Sequence, residues 1–152
     1  RTLHLRPARR RRRRRPRAVR LKISAIAFRR AWQGLILLLV LAIAAGSLLP
    51  MPSVTVAAGV DKLEHFLGYF VLALLGSGIV GPERLWIVTA RCFAFGAAIE
   101  LLQALLTSHR TADWTDIVAN GLGVGAAWAI AGGGRAGWAR HVEAWLARHG
   151  SS

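Results

Sequence analysis

Acidic side chains are scarce in this sequence: there are seven in 152 residues, and none precedes Asp61. The formal charge of +14 is therefore not spread along the chain. Residues 1–30 carry fourteen Arg and Lys, and the rest carries seven basic and seven acidic side chains. A uniformly basic body that grips nucleic acid is excluded. No aromatic residue interleaves with Arg9 to Arg15, Arg17, Arg20 and Lys22, so the stacking platforms expected of a single-strand binder are missing too. Cysteine is represented only by Cys92, inside an apolar segment, which rules out an internal disulfide and a cysteine-rich metal cluster. Neither an HExxH pattern nor a paired-carboxylate spacing is present, so no metal or other cofactor is expected from local motifs.

What is abundant is apolar length. Hydrophobic residues make up 54% of the chain, and Ala31–Leu49 runs without a charge, interrupted only by Gln33 and Ser47. At about 1.5 Å per residue this run crosses a hydrocarbon layer of about 30 Å, and it lacks the polar face of a soluble helix. Its apolar core exceeds the 7–15 residues of a signal peptide, which predicts an uncleaved first helix. Further spans are predicted at about Leu63–Val80, Leu85–Leu106 and Asp116–Ala131, separated by Pro50, Pro52, Gly81, Pro82 and the polar stretch Thr107 to Thr115. The expected fold is an all-α membrane protein, a small bundle of four transmembrane helices. Beyond Gly132-Gly133-Gly134, Trp138, Val142, Trp145, Leu146 and His149 alternate with Arg140, Glu143 and Arg148, as in a short amphipathic interfacial helix. Three regions follow: a basic, largely disordered tail over 1–30, a membrane domain over 31–131, and a glycine linker with its amphipathic segment over 132–152.

The basic run ends directly at the first apolar segment, as expected of a topogenic stretch facing anionic headgroups, so membrane lipids are its expected partners and nucleic acid is not. With Arg135, Arg140 and Arg148 after the fourth span, the positive-inside bias puts both termini in the cytoplasm of a plasma-membrane protein. The start of the second span, the end of the third and the start of the fourth then meet at the outer face.

The polar residues of the apolar segments collect there. Asp61, His65, Gly68 and Tyr69 recur at helical spacing on the second span. Glu100 and Gln103 share a face of the third, and Asp116, Asn120 and Gly123 form a stripe on the fourth. Lys62 and Glu64 are expected to point elsewhere, to the headgroups. A charged group at the depth of Glu100 costs about 2.5–3.5 kcal/mol, so it must be paired, protonated or open to water. Arg91 falls on the opposite side of its helix, which leaves Arg110 and His65 as candidate partners. Asp113 and Asp116 fit either a helix cap or the site. Gly121 and Gly125 offer a small-xxx-small face for close helix packing.

The series Asp61-Lys62-x-x-His65-Phe66-x-x-Tyr69, Glu100-x-x-Gln103 and Arg110-x-x-Asp113-x-x-Asp116-x-x-x-Asn120-x-x-Gly123 resembles the VanZ-like family of bacterial membrane proteins, over about residues 34–131. The resemblance implies a cell-envelope location and a link to glycopeptide (teicoplanin-type) resistance, and carries over no established catalytic residues. Thr111-Ala112-Asp113-Trp114 departs from the small-residue run common before the Asp.

Three functional readings follow. The leading one is an outer-leaflet pocket that binds a lipid headgroup or cell-wall component through Asp61, His65, Tyr69, Glu100, Gln103, Arg110, Asp113, Asp116 and Asn120. The second is an intramembrane hydrolase or transferase acting on a lipid-linked substrate, with Glu100 or His65 as general base; no serine has the context of a nucleophile elbow. In the third the polar groups are only glue between helices, at about 0.6 kcal/mol per bond.

Overall fold

The computed structural model of the chain describes residues 17–49, 59–106 and 113–149. It is all-helical: α1 (Arg17–Leu48), α2 (Val60–Gly78), a 3-10 turn (Pro82–Arg84), α3 (Leu85–Leu106), α4 (Trp114–Ile130), a wide π-type turn (Ala131–Arg135) and α5 (Ala139–His149). Local chemistry sets the boundaries. Gly59, at φ +91°, turns the chain into α2, and its carbonyl accepts from the Leu63 amide at 3.1 Å. Pro82 opens the 3-10 turn, where its missing N–H costs nothing. Asp113 caps α4, its Oδ1 accepting from the Thr115 amide at 2.9 Å. Gly134, at φ +90°, lets the chain leave α4 through a turn closed by the Ala136 amide on the Ala131 carbonyl at 3.0 Å.

Three stretches are long and apolar enough to cross a membrane: Ala27–Leu48, Pro82–Leu106 and Trp114–Arg135. α2 differs because Asp61, Lys62 and Glu64 crowd its first turns. It is the central helix, packed along α4 and touching α1 and α3, so it presents less surface outward than its neighbours and has less need of a wholly apolar one. α1 reaches back to Arg17, well before the apolar run begins. α4 starts two residues before the predicted Asp116, because the Asp113 cap supplies the helix start.

Many large apolar side chains face outward, while several polar ones are buried beside the apolar core. Leu105 is 70% exposed and Trp114 73%, with Leu38, Leu41, Trp86, Leu101, Leu106 and Leu122 similarly outward. Glu100, Gln103, Asn120 and Ser77 are buried. A monomer in water rarely turns so many large apolar side chains outward.

The core is Tyr69, Leu72, Ala73, Cys92, Val124 and Ala127, where α2, α3 and α4 meet, flanked by Ile36, Val40 and Ile43 of α1. The closest approach is at Gly123, where a Cβ would collide with the Phe66 carbonyl oxygen of α2, so the two backbones touch there. This corrects the expected packing face. Gly121 lies under the Phe93 ring and Gly125 meets nothing within 4 Å. At the other end of α2, the Leu75 carbonyl accepts from Trp32 Nε1 at 3.0 Å, the Leu74 carbonyl from Trp138 Nε1 at 3.1 Å, and the Ser77 carbonyl from the Gly137 amide at 2.8 Å. These donors serve carbonyls that a helix end leaves short of partners. Trp138 is thus packed edge-on against Trp32, centroids 5.0 Å apart, rather than standing on the face of α5.

Candidate functional site

Three helices bring their polar stripes to one end of the bundle. The outer edge is organised by Lys62, whose Nζ donates to Asp61 Oδ2 at 3.0 Å, Asp113 Oδ2 at 2.7 Å and Asp116 Oδ1 at 2.5 Å. The expectation that Lys62 points away is therefore wrong, and the helical wheel explains why. At about 100° per residue, Lys62 lies about 40° from the line midway between His65 and Tyr69, and Asp61 lies about 60° from it on the other side. Hydrogen bonds donated by Lys62 to the Asp113 and Asp116 carboxylates raise its pKa above the ordinary value. The Lys62 ammonium, followed by the Thr115 amide, holds the Asp113 carboxyl at about 2. The same ammonium lowers Asp61. All of these except Asp116 are substantially open to solvent, so the pairing orients the helix ends more than it stabilises them.

Beneath this edge lies His65. Its Nδ1 sits 3.1 Å from Asn120 Oδ1, and its Nε2 faces Asp116 Oδ2 at 3.6 Å. The Asn120 carbonyl can only accept, so Nδ1 donates to it, and in the neutral ring Nε2 then carries the lone pair. Glu100 completes the group from α3. Atoms of His65, Glu100 and Asp116 that can act as ligands all lie within 4.8 Å of one another. Room for the arrangement comes from Gly96, where a Cβ would press on both Asn120 Nδ2 and the Tyr69 ring at 3.1 Å.

Glu100 is 3% exposed, Asn120 2% and Tyr69 1%. Glu100 Oε1, Tyr69 Oη and Asn120 Nδ2, with Thr115 Oγ1, are the buried side-chain polar atoms without a hydrogen-bond partner among the described residues. Buried polar atoms are nearly always partnered, and three of these four belong to one cluster. The His65 and Asp116 side chains keep 10% and 14% exposure, so the cluster is nearly but not wholly closed off.

The structure does not gather every sequence candidate. Asp61, His65, Tyr69, Glu100, Asp113, Asp116 and Asn120 converge, whereas Gln103 sends Nε2 to the Ser47 carbonyl of α1 at 3.0 Å. Arg110 lies outside the described residues, as does Ser108. Ser77 is buried, with its hydroxyl bonded back to the Leu74 carbonyl at 2.7 Å, so it has no nucleophilic role. A separate apolar groove of 330 Å³, lined by Ile36, Val40, Leu72, Val88, Arg91, Cys92 and Phe95, contains none of the cluster. The polar group is thus a packed cluster, apart from that groove.

Chemically the cluster offers one oriented imidazole, an unpartnered carboxylate oxygen and a lysine beside three carboxylates. Such a set can hold a cation, relay a proton, or take a ligand that brings its own hydrogen-bond donors. The chain matches no protein-family model, no curated protein and no solved structure.

Proposed function

We propose that this chain is a multi-pass protein of the bacterial plasma membrane whose buried polar cluster recognises the polar head of a lipid or a lipid-linked cell-wall component just beneath the outer leaflet. In this reading α1 to α4 all cross the bilayer, α2 sheltered by the other three, and α5 lies along the cytoplasmic interface. Both termini are cytoplasmic, and the basic N-terminal stretch meets anionic headgroups. The outward tryptophans support it: Trp114 stands at the start of α4, Trp86 and Trp145 toward the opposite end, as in the two aromatic belts of a membrane protein.

The observation that carries the reading is Glu100: an ionisable side chain on an apolar helix, 3% exposed, with an unpartnered oxygen, facing a histidine and an aspartate from two other helices. Intramembrane ionisable groups are expensive and mark functional paths far more often than packing. The order and spacing of the motif residues resemble the VanZ-like family, and with that resemblance comes the proposed link to glycopeptide resistance. In a bacterium whose envelope phenotype depends on this protein, Glu100→Gln and His65→Ala should each abolish the phenotype while membrane insertion and abundance stay unchanged. A wild-type phenotype in both variants would remove the site reading.

The oriented His65 imidazole favours one second reading, an intramembrane hydrolase or transferase in which His65 or Glu100 is the general base. It requires pH-dependent turnover of an envelope lipid by the purified protein, abolished in His65→Ala. Binding of that lipid without turnover would leave the recognition reading in place.

A further inference from the structure

We propose that His65, Glu100 and Asp116 form the binding site of one divalent transition-metal ion of the zinc class. The inference goes beyond headgroup recognition and does not depend on it, because it concerns the ion alone.

The donor set is mixed, one imidazole nitrogen and two carboxylates, with three ligand atoms within 4.8 Å of one another. Two ligands bound to one tetrahedral zinc at about 2.0–2.1 Å lie about 3.4 Å apart. His65 Nε2 and Asp116 Oδ2 are 3.6 Å apart. That is too long for a hydrogen bond and close to the span that a shared ion sets. An imidazolium paired directly with a carboxylate closes to about 2.7–2.9 Å.

The outer atoms of two ligands are already anchored. His65 Nδ1 is held on Asn120 Oδ1 at 3.1 Å, leaving the Nε2 lone pair toward the carboxylates. Asp116 Oδ1 is held by Lys62 at 2.5 Å, leaving Oδ2 toward the imidazole. Metal-bound histidines and carboxylates are commonly oriented by such partners. Glu100 supplies the independent sign of a missing partner: its Oε1 is buried and unbonded, and the Tyr69 hydroxyl beside the cluster is buried and unbonded as well.

Charge points the same way. Among the described residues, the Lys62 ammonium pairs with Asp61, Asp113 and Asp116 at the solvent edge, and no ion pair joins it to Glu100. A buried carboxylate left without a counter-charge is costly, and a divalent ion between the three helices offsets that cost. Imidazole with carboxylates suits zinc, and manganese next, better than magnesium. Three protein ligands leave one coordination position of a tetrahedral ion open, where water or a substrate oxygen can bind.

The test uses the full chain, purified in detergent, stripped with a chelator and titrated with Zn²⁺ alone by calorimetry, with elemental analysis after dialysis. One zinc per chain is expected, together with a zinc-dependent rise in melting temperature. Glu100→Gln keeps the side-chain shape and removes the buried charge. It should elute and melt like the metal-free wild type, bind zinc at least about tenfold more weakly and lose the thermal response. His65→Gln should do the same, whereas His141→Ala on α5 should bind as the wild type does. Absence of stoichiometric zinc binding by the wild-type protein would overturn the proposal. So would wild-type affinity in both Glu100→Gln and His65→Gln, which would put the ion elsewhere. Neither outcome touches the headgroup reading, which is scored by phenotype.

Discussion

At Lys62 one ammonium joins the first turn of α2 to the cap and first turn of α4, and the resulting pKa displacements fix how this edge responds to pH. Asp113 is held at about 2 against an ordinary 3.8, so its share of the tie is complete above 3.8 and disappears as pH falls through about 2. Lys62 is displaced upward from 10.5, so its share is complete below 10.5 and is lost only at higher pH. Between these limits the melting temperature in detergent should carry no pH dependence from this pair. Lys62→Met should lower stability by at most about 1 kcal/mol and shrink the acid-side loss assigned to Asp113 to the part that the Thr115 amide supplies. An unchanged acid limb in Lys62→Met would show that the tie does not form. Spacing on single helices was enough to reveal the stripes that carry His65, Asp116 and Asn120. Lys62 was missed because an ammonium next to an apolar span is ordinarily assigned to headgroups, although its position on the wheel is as good as that of Asp61. Gln103 shares a face with Glu100 in sequence but reaches the Ser47 carbonyl, a difference set by where α1 ends, which periodicity within α3 does not encode.

Between elements, the contact of α2 with α4 is limited by the backbone of Gly123 rather than by a side chain. Gly123→Ala should push the two helices apart and cost about 1–3 kcal/mol. It should also loosen the cluster, because His65 and Asn120 meet one helical turn away from that contact. Gly125→Ala, in open space, should cost nothing in detergent. Equal losses in the two variants would mean that α4 faces α2 by another surface. The start of α3 at Leu85 followed from sequence, because Gly81 and Pro82 stand just before it, whereas α2 and α4 begin earlier than expected, at Val60 after Gly59 and at Trp114 after the Asp113 cap. The packing face of α4 did not follow from sequence either, since Gly121, Gly123 and Gly125 are equivalent until the neighbouring helix is known. Trp138 shows the same limit: its amphipathic spacing fits an interfacial helix, yet its indole reaches back to the Leu74 carbonyl of α2.

Over the whole molecule, the all-helical bundle of long apolar helices followed from hydrophobic length alone, and the polar interior followed from where the few acids fall. His65, Glu100 and Asp116 were each legible as polar groups near one face, but no local spacing supports them as a metal site, because the three come from three helices and only the packing brings them together. The proposed topology is open to thiol labelling in a Cys92→Ser background: Ser108→Cys should react from outside intact cells and Glu83→Cys only after the cytoplasm is opened. The reverse pattern would invert the bundle. The most direct measurement joins the helices themselves. In the same background, His65→Cys/Asp116→Cys and Glu100→Cys/Asp116→Cys are treated in native membranes with a short bifunctional thiol reagent. The chain is then cut between the helices, and the fragments are sized. Both pairs should stay linked within one chain, while Leu67→Cys/Asp116→Cys, with Leu67 on the outward side of α2, should separate. Linkage of the Leu67 pair as efficient as that of the other two, or separation of all three, would mean that the polar groups do not share one interior.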